Sequence, residues 1–378
     1  MSAWLWLILP ALYALAVWRL GVALARLARM KGPTSEAGLS LSVIIACRNE
    51  EELVGDTLAA LRSQTLEHEK LQLIAIDDGS SDSTSQVLQD AAALPGPELQ
   101  VLATDPEQRG KKVAILKGLE QARGSIIAIL DADTVVSPQW AESLLSAFSE
   151  RTGLVAGAAV FHAEPRDPTY SENSTLFQRV LRLEYMGLLG AGLAGFAMDR
   201  PFFASGANIA WRRQAFEDAG GFEGIAHIAS GDDTLLIQRM ARRTQWKLRP
   251  WLAAEARVRT RAPLNLAQFL RQRARWTSTG GDYPDPIAIL AALAAFALFL
   301  ELPLVLILAV LGQLPAWVAL GVWLLKLLPD AWFTSRAARA LGGSTLVHLF
   351  PLAWLGQLCY GLWVPWQARL ALLRWRTP

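Results

Sequence analysis

The stretch at residues 125–133 reads Ser-Ile-Ile-Ala-Ile-Leu-Asp-Ala-Asp, a short apolar run that ends at two aspartates. A run of this length that is rich in β-branched residues predicts a buried strand. Two earlier runs of the same kind also end in polar residues, and they are residues 39–47 and residues 71–76. Helical patterns separate the runs, including residues 113–122. Strands that alternate with helices predict a parallel, doubly wound α/β sheet with a ligand crevice at the carboxyl ends of the strands.

The two aspartates of this stretch are the most specific chemical feature of the sequence. Asp131 and Asp133 directly follow a predicted strand, with the spacing for a divalent cation that bridges a diphosphate. Carboxylate oxygens suit Mg²⁺ or Mn²⁺, and such a metal offsets the charge that builds on a leaving nucleotide. The alternative is a solvated loop or a helix cap formed by two acids, because a single D-x-D pattern is common.

Two further polar segments follow a predicted strand or open a predicted helix. Asp77 and Asp78 stand where a carboxylate can accept a hydrogen bond from a nucleotide base or a ribose, and Gly79 permits the tight turn. Residues 110–112, Gly-Lys-Lys, supply cations and backbone N–H groups for phosphate. Each segment is also compatible with an ordinary surface turn.

A candidate general base lies in the second half of the chain. Residues 230–233 read Ser-Gly-Asp-Asp, and a helical pattern follows them. A carboxylate of Asp232 or Asp233 could deprotonate an acceptor hydroxyl. The alternative, and the commoner use of such a pair, is an acid at a helix N-terminus.

Residues 264–276 predict an amphipathic helix that can lie in a membrane interface. Near its end, Trp276 offers an aromatic platform for a sugar or a lipid. Gln272 and Arg275 precede it and lie about one helical turn apart. Arg275 can meet phosphate. The alternative is an interfacial tryptophan beside an arginine that extends its charge into the headgroups.

The composition indicates that part of the chain lies in lipid. Of 378 residues, 52% are hydrophobic and 19% are charged, whereas about 25% charged residues are usual in soluble domains. The net charge of +2 lacks the basic excess that binds a nucleic-acid backbone, which argues against nucleic acid as a partner. The two cysteines, Cys47 and Cys359, provide no disulfide framework.

The first apolar segment, residues 3–25, has the length of a spanning helix. Its positive charges follow the apolar run, as Arg19, Arg26, Arg29 and Lys31, whereas a cleaved signal peptide opens with its basic residues. An uncleaved anchor is therefore expected. Because Lys and Arg mark the cytoplasmic side, the following domain should face the cytosol.

Three apolar segments near the end of the chain approach spanning length, and they are residues 287–311, 316–333 and 346–364. The charged residues within them, Glu301, Lys326 and Asp330, are expected to face the protein or the headgroups. Three exit spans would leave the arginines at 369, 374 and 376 on the outer side, against the positive-inside rule. Either the third segment is re-entrant or interfacial, or the second is not a full span.

Taken in order along the chain, these pieces resemble glycosyltransferase family 2. The resemblance rests on residues 42–51, 77–80, 110–118, 131–133, 206–213, 231–233 and 272–276. The chain is similar to the membrane branch that includes ceramide glucosyltransferase, carotenoid and diacylglycerol glycosyltransferases, and the cellulose and hyaluronan synthases. The resemblance implies an α/β GT-A domain inserted between an N-terminal transmembrane helix and C-terminal transmembrane helices. The implied boundaries are a helix at 1–30, the catalytic domain at 39–260, an interface helix at 261–284 and the membrane region at 285–378.

The resemblance also implies roles for individual residues. Binding of the nucleotide sugar falls to Cys47, Arg48, Glu50, Asp77, Asp78, Lys111, Asp131, Gln272 and Arg275. Asp133, with Asp131, would hold Mg²⁺ or Mn²⁺, and Asp233 would act as the general base, with Asp232 as second choice. Trp276 would contact the acceptor. The sequence departs from the family at Ala46, where proline is usual, and at Leu116, where asparagine is usual.

The leading functional hypothesis is inverting transfer of a single sugar from a UDP-sugar to a hydroxyl of a lipid or other apolar acceptor. The expected location is the inner (plasma) membrane, with several spans and a cytoplasmic catalytic domain. One alternative is a processive polysaccharide synthase, which normally needs more spans and a gating-loop motif. Another is a non-catalytic membrane subunit of the same fold, although every acidic position of the mechanism is filled.

Overall fold

The computed structural model describes residues 3–29, 36–162, 174–224, 231–277 and 285–375, without the side chains of residues 232 and 368–375. The first part of the chain is one apolar helix followed by alternating strands and helices. A 3-10 turn at Ala3–Leu7 precedes α1 (Ile8–Leu27), and then come β1 (Leu41–Cys47), α2 (Val54–Arg62), β2 (Leu71–Asp77), α3 (Thr84–Ala92), β3 (Glu98–Ala103), α4 (Lys111–Gln121) and β4 (Ile126–Asp131).

The second part contains shorter strands and longer helices. Its elements are β5 (Thr134–Val136), α5 (Trp140–Ser146), β6 (Thr152–Gly157), β7 (Ala159–His162), α6 (Leu176–Ala197), β8 (Ile209–Arg212), α7 (Arg213–Asp218), α8 (Asp232–Arg243), β9 (Lys247–Trp251), β10 (Val258–Arg261), α9 (Leu266–Thr277), α10 (Pro286–Val310), α11 (Ala316–Ala340) and α12 (Phe350–Trp375). A 3-10 helix at Ser344–Leu349 leads into α12.

The central sheet has seven strands in the order β3-β2-β1-β4-β8-β6-β9. Strands β3 to β4 are parallel, as the sequence predicts. The prediction of a parallel sheet is wrong for β8, which runs antiparallel to β4 and β6, whereas β6 and β9 run parallel to each other. The chain enters β8 at the carboxyl end of β4, where Ile209 pairs with Ile129, and therefore runs back along β4. A second sheet, β5-β10-β7, begins directly after Asp133.

The core lies on both faces of the central sheet because alternate strand residues face opposite sides. Ile44 and Ile74 pack in one cluster with residues of α4, α6 and α8. Val43 and Ile45 pack in the other with residues of α2, α3 and α5. Burial on both faces explains why the sequence of these strands is continuously apolar.

Five helices among the described residues are long and apolar enough to cross a membrane, namely Ala3–Leu27, Leu176–Ala197, Pro286–Val310, Ala316–Ala340 and Ser344–Gln367. The sequence reading missed Leu176–Ala197, which is α6. Of the most apolar part of α6, 67% is buried inside the protein, against 17% for α10. A Cβ on Gly190 would lie 2.7 Å from Cβ of Ala337, so α6 packs closely against α11. It thus joins the sheet to the terminal helices.

Three charged residues inside the apolar segments of the terminal helices are buried, which confirms that they face the protein. Glu301, Lys326 and Asp330 are each less than one-tenth exposed. Helices α10, α11 and α12 all reach the length of a span. The arginines at 369, 374 and 376, on which the topology conflict rests, fall among the side chains outside the described part.

Candidate active site

Three neighbouring strands carry predicted site residues at their carboxyl ends. Cys47 pairs in register with Asp77, and Ala46 pairs with Asp131. Since adjacent strands lie about 4.8 Å apart, these strand ends form one continuous polar edge. This is the edge at which open α/β sheets bind ligands.

Hydrogen bonds tie the loops after β1 and β2 together. The side-chain oxygen of Asn49, a residue with φ of 56°, accepts the Ser81 N–H at 2.8 Å. The Asn49 N–H donates to the Ser80 hydroxyl at 3.0 Å, and the Glu50 N–H donates to the Thr84 hydroxyl at 2.8 Å. These bonds hold the two polar loops as one unit at the sheet edge.

Asp78 has a structural task that the sequence did not predict. Its two oxygens accept the Gly110 N–H at 2.8 and 3.0 Å, and one of them also accepts the Thr104 hydroxyl at 3.1 Å. Asp77 accepts the Ser80 N–H at 2.9 Å within its own turn. The buried Asp78 carboxylate therefore positions the backbone from which α4 begins.

Lys111, at the start of α4, forms an ion pair with Asp131. Its Nζ lies 2.6 Å from Oδ1 of Asp131, and the two side chains are 35% and 37% exposed. Burial alone would raise the pKa of Asp131, but the charges of Lys111 and Arg275 hold that pKa below its usual value. The pair is preorganised and still accessible to a ligand.

Two further carboxylates crowd this pair. Burial, followed by the charge of Asp131, raises the pKa of Asp133 to about 6, although the Thr260 hydroxyl donates to it at 3.3 Å. Burial, followed by the charges of Asp133 and Asp131, raises the pKa of Glu50 to about 7. The carboxylates of Glu50, Asp131 and Asp133 therefore repel one another, and a cation among them would relieve that repulsion.

Cys47 and Arg48 differ sharply in their surroundings. The Cys47 thiol is fully buried, lies 3.6 Å from the Ile45 carbonyl oxygen and has a pKa raised by burial. A neutral buried thiol packs in the core. Arg48 is exposed at the same strand end. The geometry therefore favours a packing role for Cys47 and leaves Arg48 within reach of a ligand.

Asp233 lies in the first turn of α8, where its Oδ1 accepts the Thr234 N–H at 2.6 Å. A Cβ on Gly206 would lie only 2.8 Å from its other oxygen, so the carboxylate fits because residue 206 is glycine. The Asp233 carboxylate therefore fits both interpretations of the sequence. It accepts a hydrogen bond at the N-terminus of α8 through one oxygen, and it remains the candidate general base. The side chain of Asp232 lies outside the described residues.

Tyr185 of α6 connects the candidate base to the predicted acceptor residue. Its ring centroid lies 5.7 Å from that of Trp276, and its hydroxyl donates to the Ser205 hydroxyl at 3.1 Å. Tyr185 also interacts electrostatically with Asp233 and with Asp131. The structure therefore brings the predicted base, the predicted metal-binding segment and the tryptophan around one buried tyrosine.

A buried ionic cluster supports Trp276 from behind. The Arg273 guanidinium lies 4.6 Å from the centroid of the Trp276 ring and forms an ion pair with Glu184 of α6. Glu184 also accepts a hydrogen bond from Tyr360 of α12. No local pattern predicts this cluster, because its partners lie 89 and 176 residues apart in the sequence.

Gln272 and Arg275, which precede Trp276 on α9, are both able to contact a ligand. Gln272 is half-buried, and its Oε1 is buried without a hydrogen-bond partner among the described residues. A ligand N–H or hydroxyl could satisfy it. Arg275 is exposed and acts electrostatically on Asp131, which places α9 beside the strand-end carboxylates.

No group of three or more His, Cys, Asp or Glu side chains among the described residues is arranged to hold a metal ion. Asp131 and Asp133 alone would supply two carboxylates. Mg²⁺ is commonly held by one or two carboxylates together with substrate phosphates and water. The donor set therefore fits a divalent cation that is bound jointly with a diphosphate.

A comparison with known families matches the part of the chain that carries the strand-end residues. The family described as Glycosyl transferase family 2 matches residues 42–220, a range that contains the D-x-D pair and Lys111. Residues 42–220, just under half of this chain, therefore match glycosyltransferase family 2. This match confirms the resemblance that the sequence motifs carry.

Two named relatives illustrate what this chain is similar to. Glycosyltransferase AglE of Haloferax volcanii is 30% identical over 199 residues, which cover 53% of this chain and 60% of the relative. A poly-beta-1,6-N-acetyl-D-glucosamine synthase of Staphylococcus epidermidis is 27% identical over 255 residues, which cover 64% and 55%. The chain thus spans less than two thirds of the length of these relatives.

A solved structure extends the likeness to nearly the whole chain. The mannosyltransferase PcManGT from Pyrobaculum calidifontis, in complex with GDP-Man and Mn²⁺, superposes with a TM-score of 0.55 at 20% identity. The superposition covers 98% of this chain and 97% of the mannosyltransferase. At this identity the likeness concerns the fold, and it confirms the predicted GT-A class.

Proposed function

We propose that the chain transfers a single sugar from a UDP-sugar to a hydroxyl of a lipid or other apolar membrane acceptor, with inversion at the anomeric carbon. The observation that carries the proposal is the accessible Lys111–Asp131 pair beside Asp133, on the strand edge shared with Asp77. The match of residues 42–220 to glycosyltransferase family 2 supports the reaction class.

The nucleotide sugar is assigned to the loops at the strand ends. Asp77 and Asp78 line the nucleotide pocket, and Asp78 also fixes the amide of Gly110. Lys111 and Arg275 meet the diphosphate, since each is a cation that already acts on Asp131. Arg48 and Glu50 flank the same pocket, as does Gln272 with its unsatisfied oxygen.

Asp133 and Asp131 would hold Mg²⁺ or Mn²⁺. The raised pKa of Asp133 supports this assignment, because its environment disfavours a second uncompensated negative charge. A bound metal would offset the charge on the leaving diphosphate. The Mn²⁺ in the mannosyltransferase complex is consistent with divalent metal use in this fold.

Asp233 is proposed as the general base. The acceptor oxygen attacks the anomeric carbon, the bond to the diphosphate oxygen breaks, and Asp233 takes the hydroxyl proton. Because Tyr185 approaches both Asp233 and Trp276, an acceptor that stacks on Trp276 would place its hydroxyl near this carboxylate. Trp276 lies on α9, next to α12, so the acceptor would enter from the side of the terminal helices.

The proposed location is the inner membrane, with the sheet domain in the cytoplasm. The support is the set of apolar helices together with Arg19, Arg26 and Arg29, which accompany α1 toward the sheet domain. Proteolysis of inverted and right-side-out vesicles distinguishes the two orientations. Cleavage of the sheet domain in right-side-out vesicles would contradict the proposal.

The decisive experiment uses the purified full chain in proteoliposomes with labelled UDP-sugars, GDP-mannose and extracted lipids. One added sugar on an organic-phase product is expected, with activity lost in EDTA and restored by Mn²⁺. Asp233→Asn should bind UDP without transfer, whereas the matched surface variant Asp90→Asn should keep full activity. UDP binding by the parent chain without transfer to any acceptor would instead indicate a non-catalytic subunit.

A processive polysaccharide synthase is the second candidate. The 27% identity with the poly-beta-1,6-N-acetyl-D-glucosamine synthase favours it. Product size separates the two: a polymer that stays in the aqueous phase would replace the single-transfer proposal, and a mass increase of one sugar would exclude the synthase.

A further inference from the structure

A cavity of about 760 Å³ lies away from the candidate active site. One wall is β9, the edge strand of the central sheet. Strands β8 and β6 separate β9 from β4, which places this wall roughly 14 Å from the metal-binding strand at ordinary sheet spacing. The cavity volume falls within the range of about 300–1,000 Å³ that is usual for small-molecule sites.

The opposite wall is formed by the carboxyl ends of three candidate membrane helices. Leu27 of α1, Phe196 of α6 and Ala340 of α11 all line the cavity. If α1 and α11 cross a membrane, their ends lie at the level of the lipid headgroups. The inference therefore rests on the proposed membrane location but not on the proposed transfer reaction.

The cavity is basic. Lys247 and Arg249 of β9, Arg257 just before β10 and Arg339 of α11 line it, and of the described lining residues only Asp199 is acidic. This excess of three positive charges lies beside the apolar ends of the helices. An amphipathic cavity of this kind suits a ligand with an anionic head and an apolar body.

Two of these cations have hydrogen-bonding capacity that the protein does not use. Arg257 is anchored, because it donates to the Ala340 carbonyl at 3.0 Å, yet its Nε is buried without a partner. The Nε of Arg249 is likewise buried and unpaired, and neither Lys247 nor Arg249 has a side-chain partner among the described residues. Buried N–H groups without acceptors are unfavourable, and phosphate oxygens would satisfy them.

We propose that this cavity binds the phosphate headgroup of an anionic phospholipid, with the acyl chains directed along α1 and α6. Trp246 and Trp251, which also line the cavity, have the amphipathic character of residues at a membrane interface. The bound lipid holds the β9 edge of the sheet at the membrane surface. This edge is several strands away from β1 and β2, against which α4 packs.

Calorimetric titration of the detergent-purified full chain tests the proposal. Dihexanoyl-phosphatidylglycerol, used below its critical micelle concentration, should bind saturably, whereas dihexanoyl-phosphatidylcholine and glycerol phosphate should not. The double variant Lys247→Gln/Arg249→Gln should weaken phosphatidylglycerol binding about 30-fold. The control Lys70→Gln/Arg123→Gln removes the same charge from exposed sites and should bind as the parent does.

Each other outcome overturns the proposal. If phosphatidylcholine binds equally well, or if the double variant binds phosphatidylglycerol as well as the control does, the cavity does not bind the phosphate headgroup. Glycerol phosphate that binds as tightly as the lipid, with the same loss in the double variant, would assign the cavity to a soluble phosphate ester. If the double variant does not fold, the exposed Arg339→Gln should still weaken lipid binding about fivefold. UDP binding and sugar transfer, measured in parallel, separate this result from the fate of the proposed reaction.

Discussion

Two lysine–aspartate pairs in this molecule have the same chemistry in opposite environments. Lys111 and Asp131 meet at 2.6 Å on the sheet edge, with side chains 35% and 37% exposed. Lys326 and Asp330 meet at 2.5 Å within α11, with side chains 2% and 10% exposed. A search for charge pairs alone would treat them alike.

The pair in α11 is satisfied by protein groups. Asp330 also accepts the Tyr13 hydroxyl at 2.5 Å and the Trp354 indole N–H at 2.8 Å, and Lys326 lies 3.2 Å from the Tyr13 oxygen. The cluster joins α1, α11 and α12. The pair at the sheet edge instead has further carboxylates pressed against it. Accessibility and unrelieved repulsion, rather than ion pairing, therefore distinguish the pair that we propose to be functional.

The largest expected effect is that of Asp133→Asn on the sheet-edge cluster. Removal of this carboxylate should lower the transfer rate about 10³-fold, because the charge that develops on the diphosphate loses its metal-mediated stabilisation. Initial rates with a saturating UDP-sugar and Mn²⁺ measure the effect. Asp90→Asn, on the exposed face of α3, is the control, and a variant that keeps the parent's rate and ignores EDTA would contradict the metal assignment.

Asp330→Asn should act on stability instead. It leaves the Lys326 ammonium buried without a counter-charge, which destabilises a protein by about 3 kcal/mol or more. Unfolding in detergent measures the loss, and transfer per folded molecule should stay unchanged. The apolar pair Lys326→Met/Asp330→Leu should recover much of the stability. A folded Asp330→Asn protein without activity would show that this cluster takes part in function.

The contrast between the two pairs also shows how far the sequence can be read. The apolar runs that end in Asp77 and Asp131 predicted β2, β4 and their shared edge, because strand burial and strand-end polarity are local signals. Helix α6 was missed because Arg182 and Glu184 dilute its apolar pattern, and the partner of Glu184 is distant in sequence. Local patterns therefore located Asp77 and Asp131 at strand ends. They could not reveal the contacts of Arg273 and Glu184 that position Trp276.

A smaller effect is expected for Lys111→Met, the counterpart of the change in α11. Since the pair is more than one-third exposed, its loss should destabilise the fold by less than about 1 kcal/mol. The KM for the donor should nevertheless rise about 30-fold, because a charged contact to the diphosphate is lost. Lys117→Met, on the same helix, is the control. An unchanged KM for the donor would show that Lys111 does not contact the diphosphate.

The smallest expected effect concerns the link between α12 and the tryptophan helix. Tyr360→Phe removes the hydroxyl that donates to Glu184, and this loosens the Arg273 guanidinium that lies over Trp276. The turnover number should fall about fivefold, the equivalent of one hydrogen bond, while the KM for the donor stays constant. Tyr13→Phe is the matched control, because it removes a hydroxyl from the saturated cluster and should lower stability without changing turnover per folded molecule. If both variants lowered turnover equally, the Glu184 cluster would be no more than another structural clamp, and the distinction between the two regions would have to rest on the sheet edge alone.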